Sequence, residues 1–457
     1  MMRQKHGAWT RVLFSAAVTL LSLLMATVAF GHDHGHDSDL PLLHAPEFTP
    51  TPVPDRIVLT WTADPVHSQA VTWRTSADVT QGIAEIAVAG EGPLFARRAK
   101  TVRAQTVHLK GDLGPASYHT VEFTDLAPKT TYAYRVGDGK TFSEWSQFTT
   151  ANDWAEPFTF VYVGDAQNDI KSHWSRVIRS AFADAPKAAF ILHAGDLINR
   201  ANRDAEWGQW FYATGFLHRM IPCLATPGNH EYAKRDSNDE RTLSAHWRPT
   251  FAFPQHGPEG LEESVYAIDY QGLRLISLNS NERQAEQVPW LRKALEQKAA
   301  RWTIVTFHHP LYASAEGRDN TELRNLWQPV LDEYRVDLVL QGHDHTYARS
   351  GLMTHENVPS GATGRSQAAG TVYVVSVSGP KMYDLERRPF MKRAAEDTQL
   401  YQIIRIDGDQ LHYQARTATG RLYDGFTLIK RDGRPNQLIE KTPNRKERLR
   451  HNGQRVE

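Results

Sequence analysis

Between Arg56 and Thr150 the chain alternates apolar and polar residues in short runs separated by turn residues. The runs read IVLTW, AVTWRTS, IAEIAVA, TVHL, HTVEFTDL, TYAYRVG and WSQFTT. A period of two over seven closely spaced segments predicts an antiparallel β-sandwich of immunoglobulin size. No cysteine pair is present to bridge it, which points to the fibronectin type III kind, over residues 55–151. In Leu126–Gly137, LAPKTTYAYRVG, a tyrosine is expected to pack across a sheet corner. Trp61 and Trp73 read as core.

At Glu156 the rhythm becomes strand followed by helix. Phe158–Val163 is apolar and ends in Gly164-Asp165; Ser172 then precedes Trp174, Val177, Ile178 and Phe182 at helical spacing, as a cap. Ala188–Asn199, AAFILHAGDLIN, reads as a buried strand that delivers Asp196 to the carboxyl edge of its sheet, where ligands of open α/β sheets bind. Helical spacing follows around Trp207, Trp210 and Phe211. Ile221–Ala225 leads into Asn229-His230-Glu231, Trp302–Phe307 into His308-His309, and Val336–Leu340 into Gly342-His343-Asp344-His345. Leu273–Leu278 adds a strand, Val288–Leu295 and Thr321–Tyr334 add helices, and from Thr371 onward only strands are expected. The pattern predicts a layered α/β domain over residues 156–431 whose later strands complete a second sheet.

The ends are of other character. Residues 1–31 combine Arg3, Lys5 and Arg11 with an apolar stretch from Val12 to Phe30 and small residues at Ala29 and Gly31, which predicts a secretory signal peptide. The stretch approaches the length of a membrane span, so a retained anchor is the competing reading. Residues 32–54 form a linker, with His32, His34, His36 and His44 followed by four prolines. Residues 432–457 are polar and basic and read as a flexible tail. Lysine plus arginine equals aspartate plus glutamate at 52 each, and loss of the leader leaves 49 basic residues against 52 acidic. That balance excludes nucleic acid and an anionic membrane surface as partners read from charge, and no later segment is apolar enough for stable membrane insertion. The single cysteine, Cys223, lies in an apolar run and reads as a buried hydrophobe.

Five predicted strand ends thus carry Asp165, Asp196, Asn229 with His230, His308, and His343 with His345. Carboxylate, amide oxygen and imidazole are the donors that Zn, Mn and Fe accept. The order of these blocks resembles the calcineurin-type metallophosphoesterases. Within them it is similar to the purple acid phosphatases, which place a fibronectin-like module before the catalytic domain. Gly228-Asn-His-Glu231, Val305-Thr-Phe-His-His-Pro-Leu-Tyr312 and Gly342-His-Asp-His-Thr-Tyr-Ala-Arg349 carry the resemblance. It implies a four-layer catalytic domain, two β-sheets flanked by helices, holding two metal ions (Fe, Mn or Zn). It also implies that Asp196 bridges them, that Asn229, His308 and His343 complete one site, and that Asp165 and His345 belong to the other. The implied activity is hydrolysis of small phosphate esters by a metal-activated hydroxide, of the acid phosphatase, phosphomonoesterase type.

The chain departs from the family where one metal takes its last donor. Asn199 stands where purple acid phosphatases have tyrosine, and Gln167 where other members have histidine. Either side chain offers an amide oxygen as a possible extra ligand, and no purple colour is expected. His230, next to Asn229, is placed to donate a proton to the leaving oxygen and to contact substrate with Asn229; His309 is a candidate for a further substrate contact. Glu231 and Arg349 are weaker candidates. The segments Tyr232–Ser264 and Ala313–Asn320 read as the loops that choose the substrate. Two other readings share these features. One is a phosphodiesterase acting on nucleotides or lipid head groups; the other is a non-catalytic surface-binding protein whose metal site has degenerated.

Overall fold

In the computed structural model of the chain, residues 45–234, 241–297, 300–354 and 370–450 are described. The leader, the histidine-rich arm up to His44 and residues 451–457 lie outside them. Among the described residues no helix is long and apolar enough to cross a membrane.

The alternating text before residue 150 folds into two four-stranded antiparallel sheets. One runs in the order Asp55–Thr60, Gln69–Ser76, Gly114–Phe123, Gln105–Gly111, and the other Lys100–Arg103, Ile83–Val88, Thr131–Gly137, Ser146–Thr149. Eight strands therefore stand where seven were expected. Lys100–Arg103, KTVR, lies at a sheet edge and is largely exposed, so its polar sequence shows no alternation. Ile57, Leu59, Val71, Trp73, Val121, Phe123, Tyr134 and Phe148 fill the space between the sheets. Tyr132 crosses the corner as expected, its hydroxyl accepting the Ala127 amide at 2.8 Å. Trp61 is buried too, but its ring stacks on Tyr270 (centroids 5.4 Å apart) and meets Phe190 edge-on, so it belongs to the following domain's core.

That domain has two seven-stranded sheets. In the first, Cys223–Ala225, Ile191–His193 and Phe158–Val163 are parallel neighbours, and Leu400–Asp407, Gln410–Thr417, Leu422–Ile429 and Gln437–Glu440 continue it antiparallel. In the second, Leu273–Ser277, Trp302–Thr306, Leu338–Gln341 and Thr371–Val375 run parallel, with Tyr266–Tyr270 on one side and Tyr347–Met353 and Met391–Ala395 on the other. Phe160, Ile404, Leu275, Ile304 and Leu340 belong to one core cluster spanning both sheets. The helix Ser175–Asp184 lies against the first sheet, while Gln287–Glu296 and Thr321–Glu333 share a core cluster with Val305 and Val339 of the second. Helix, sheet, sheet, helix is the four-layer order expected.

Two local expectations are corrected. Ser172 is not a helix cap: it sits inside a π turn, Ile170–Trp174, that precedes the helix, and its hydroxyl donates to the Asp169 carbonyl. The segment from residue 432 is not a loose tail as far as residue 450. Gln437–Glu440 pairs with Leu422–Ile429, Glu440 bonds the buried Arg349 at 2.8 Å, and Arg450 closes on Asp397 at 2.6 Å. Its charges, which suggested solvation, are spent on ion pairs within the fold. Arg349 also holds Asp424 at 2.6 Å, so it is a structural cation and not a site residue.

The sandwich and the α/β layers are joined by buried charge. Asp204, at the start of the helix Asp204–Thr214, receives Arg56 and Arg74 from two neighbouring sandwich strands, and Arg74 also forks onto Asp55 at 2.6 and 2.9 Å. Removing one partner of such a buried cluster leaves a charge without its counterion. Arg74→Met should lower unfolding stability by about 3 kcal/mol, read as a shifted denaturation midpoint at unchanged slope; an unshifted midpoint would show that the cluster does not hold the two domains together.

Candidate metal centre

Each strand-end residue sits two to five positions past its strand, on loops that converge at one edge of the two parallel arrays. The loops are stitched to each other by main-chain bonds: Asp165 N–H to Gly195 O at 3.1 Å, Gln167 N–H to Asp196 O at 3.1 Å, and Gly342 N–H to His308 O at 3.0 Å. Asp165, Asp196, His343 and His345 all adopt positive φ, between 49° and 76°. Non-glycine residues held there are strained by about 1–3 kcal/mol each, a cost tolerated where a structure needs a particular side-chain direction. Gly195 is required for another reason: a Cβ on it would lie 2.6 Å from His308 Nδ1 and 2.7 Å from the Gly228 nitrogen.

Four donor atoms face one another in the first half of the centre. His308 Nε2 lies 3.1 Å from Asp196 Oδ2, 3.1 Å from Asn229 Oδ1 and 3.2 Å from His343 Nδ1, which is itself 2.9 Å from Asn229 Oδ1. A cation with bonds of about 2.0–2.1 Å sets neighbouring ligands about 2.9–3.4 Å apart, so the spacing matches one coordination shell. In the second half, Asp165, Asp196 and His345 bring ligand atoms within 4.8 Å of one another. Asp196 is common to both groups.

The donor set fits the metals that the sequence implied. Asp165 Oδ2 and Gln167 Oε1 are buried and have no hydrogen-bond partner. A buried oxygen left so is costly unless something fills its place. Gln167 stands beside His345, its side-chain nitrogen 3.2 Å from Nε2 of that ring, which puts the residue next to the second half. Asn199 contributes through its main chain, its carbonyl accepting His230 Nδ1–H at 2.6 Å.

The ligands are oriented from behind. His308 donates Nδ1–H to Ala194 O at 2.8 Å and His345 donates Nδ1–H to Lys381 O at 2.9 Å, which makes Nε2 of each ring the nitrogen able to ligate. Glu231, fully buried, accepts the amides of Asp196, Leu197 and Gly228 at 2.7–2.8 Å and so holds the Asp196 loop to the Asn229 loop. Glu206 accepts the amides of Asn199 and Arg200 at 2.8 and 2.7 Å. Ser280 Oγ accepts the His309 amide at 3.0 Å and lies 2.9 Å from its Nδ1. Glu231 was only a weak sequence candidate, and Glu206 and Ser280 carried no signal at all. The signal for Glu231 was its place at the end of the Gly-Asn-His-Glu block.

Burial shapes the protonation states. It pushes the Asp165 carboxyl well above the usual range, with Asp196 adding to the effect against the opposing His308. Burial also works against the Asp196 carboxylate, but His308 and His230 outweigh it and hold it well below that range. Burial lowers His345 to about 3, and burial together with His308 lowers His309 to about 3, so these rings are neutral. His308 rises to about 9, because Asp196 overcomes its burial.

Asn229, His230, His309 and His343 are only partly buried. Asn229 and His309 line a cavity of ≈ 780 Å³ whose walls include Tyr232, Arg241, Asp319 and Asn320 from the two expected substrate segments. The stretch Ser280–Ala285, which the sequence did not single out, forms another wall.

Comparison with known proteins agrees with this geometry. Residues 158–347 match the calcineurin-like phosphoesterase family, and residues 54–150 match the purple acid phosphatase N-terminal domain. A probable purple acid phosphatase 20 of Arabidopsis thaliana is 28% identical over 237 residues, 49% of this chain and 53% of that protein. Acid phosphatase type 7 of Danio rerio is 28% identical over 316 residues, 62% of this chain and 68% of that protein. The chain spans about half the length of several of the curated relatives it matches. In fold it is similar to a purple acid phosphatase from yellow lupin (Lupinus luteus) seeds, with a TM-score of 0.67 at 19% identity over 82% of this chain and 74% of that one. It is also similar to PhoD, at 0.62 and 14% identity over 87% and 93%. Residues 54–150 thus form a purple acid phosphatase N-terminal domain and residues 158–347 a calcineurin-like phosphoesterase domain, so the centre described is that of a metallophosphoesterase domain.

Proposed function

We propose that this protein is an exported phosphomonoesterase with two metal ions at the centre described. The observation that carries this reading is the shell in which Asp196, Asn229 and His343 donor atoms lie 3.1–3.2 Å from His308 Nε2, together with two orphaned buried oxygens on Asp165 and Gln167. Asn229, His308 and His343 would hold one ion and Asp165 and His345 the other, with Asp196 common to both sets and Gln167 available as an extra donor. Bound there, the ions supply a nucleophile at neutral pH and a clamp on the phosphoryl oxygens. Export rests on the leader in residues 1–31. The sandwich over residues 55–151 is read as a fibronectin type III-like module, supported by the Tyr132 corner.

The chain's own residues orient the substrate and handle the proton. His230 is tied at Nδ1 to the Asn199 carbonyl and at its amide to Asp196 Oδ1, so Nε2 is its one free ring nitrogen. In the imidazolium form that nitrogen donates to the leaving oxygen. Asn229 and His309 present polar edges to the cavity in which the alcohol part of the ester sits. His230→Ala should lower kcat about 10²-fold on an alkyl phosphate, and by less on p-nitrophenyl phosphate, whose leaving oxyanion needs no proton. Equal losses on both would make His230 a positioning residue only.

The assay that tests the whole reading uses the purified protein on p-nitrophenyl phosphate and on its bis ester, with Mn, Zn or Fe added and then chelated. Chelatable hydrolysis faster on the monoester is expected. Faster hydrolysis of the bis ester would make it a diesterase, and none on either would make the centre a relic. Iron-loaded protein should lack a purple charge-transfer band, since Asn199 replaces the tyrosine that supplies it; a strong visible band in its absorption spectrum would overturn that.

A further inference from the structure

The first sheet holds a second group of ligand-type side chains, made of residues that the centre above does not use. His193 ends the strand Ile191–His193, His218 lies in the 3₁₀ turn Leu217–Arg219, and Cys223 begins the neighbouring strand Cys223–Ala225. All three are at most 1% exposed, and their ring nitrogens and sulfur lie within 4.8 Å of one another. The two Nε2 atoms face each other at 3.3 Å, inside the spacing of neighbouring ligands on one cation. We propose that His193, His218 and Cys223 form a third metal site, structural in role, for a borderline-to-soft cation such as Zn²⁺ or Cu⁺.

The surroundings suit ligation. Trp210 stacks on His218 with ring centroids 5.0 Å apart and flanks His193 at 5.2 Å, which fixes both rings and keeps water out. Burial holds both imidazoles neutral, the form that binds metal. Nδ1 of His218 has no hydrogen-bond partner at ordinary geometry, and the main chain of Ile221 is the backbone group that acts on its ring. A proton on that nitrogen leaves Nε2 as a lone pair aimed at His193, the tautomer in which a histidine ligates through Nε2. The thiol of Cys223 gives up its proton to solvent when the ion binds. Two neutral imidazoles and one thiolate are a set that soft and borderline ions take in trigonal or tetrahedral shells. The ion would tie two strands and the turn between them in a chain whose single cysteine excludes an internal disulfide.

Cobalt tests this without relying on activity, because the phosphoesterase centre has only oxygen and nitrogen donors. Full-length protein is stripped with chelator, reloaded with Co²⁺ and examined for metal content and near-ultraviolet absorption. Three equivalents and a thiolate-to-cobalt band are expected, with Cys223→Ser losing the band and one equivalent. Two equivalents and no such band in the wild-type protein would overturn the site, leaving a histidine pair joined by a hydrogen bond. That wild-type spectrum decides the matter even if the serine variant does not fold.

Discussion

Asp196→Asn should cost more activity than the loss of any single terminal ligand. Its carboxylate is the one group shared by both ligand sets, and its side chain is almost fully buried. A carboxylate between two cations screens their repulsion; an asparagine of the same shape keeps the volume but removes the charge, so the two ions then repel across a dry site. Losing one outer hydrogen-bond partner lowers the affinity or activity of a metal site about 10–100-fold. The fall in kcat/KM on p-nitrophenyl phosphate should exceed that range for Asp196→Asn, and should exceed the falls for Asn229→Ala and His345→Ala measured beside it. Metal content should drop in the same variant. Equal losses across the set, with both ions retained, would show that Asp196 does not bridge.

Glu231→Ala comes second. It touches no proposed ligand side chain, yet four main-chain amides donate to its carboxylate, those of Asp196, Leu197 and Gly228 at 2.7–2.8 Å and that of Ile198 at 3.4 Å. Deleting the acceptor leaves those amides buried and unpaired, at about 1–3 kcal/mol each, so a stability loss of at least about 3 kcal/mol is expected. The loop it restrains also holds Asp196 at a strained φ of 52°. Freed, that loop has a cheaper conformation available, and displacement of a reacting group by about 1 Å costs about 10²-fold in rate. Glu231→Gln retains one acceptor oxygen and should fall between wild type and alanine in both respects. Denaturation curves and kcat/KM of the folded fraction check the pair. A Glu231→Ala protein that unfolds early but turns over at the full rate would limit Glu231 to stability.

Neither Glu231 nor the Arg74 cluster could be weighed from the text, and the reason is the same. A buried ion pair or a carboxylate collecting amides joins segments far apart in number: Arg74 to Asp204, Glu231 to Asp196 and Leu197. No local period records such partners. Charged residues near a chain end look solvated for the same reason, which is why Glu440 and Arg450 were read as tail while they pair with Arg349 and Asp397. A short edge strand such as Lys100–Arg103 leaves no signal because only Val102 of its four residues meets the core, too few to show alternation.

Apolar strands that end in glycine and a ligand residue are different, because their signal is local. Asp165, Asp196, Asn229, His308, His343 and His345 were all legible before any fold was known, as was the change from paired β-sheets to strand-and-helix layers. A strand buried on both faces must be apolar throughout, and its first polar residue must emerge at the sheet's edge. What only the tertiary structure decided is distance. It set three donor atoms 3.1–3.2 Å from His308 Nε2, left Asp165 Oδ2 and Gln167 Oε1 buried without partners, and gave the Asn199 carbonyl to His230. It also brought His193 and His218 to 3.3 Å. Loop conformation and packing between distant segments fix such separations, and the order of residues along a chain does not encode them one by one.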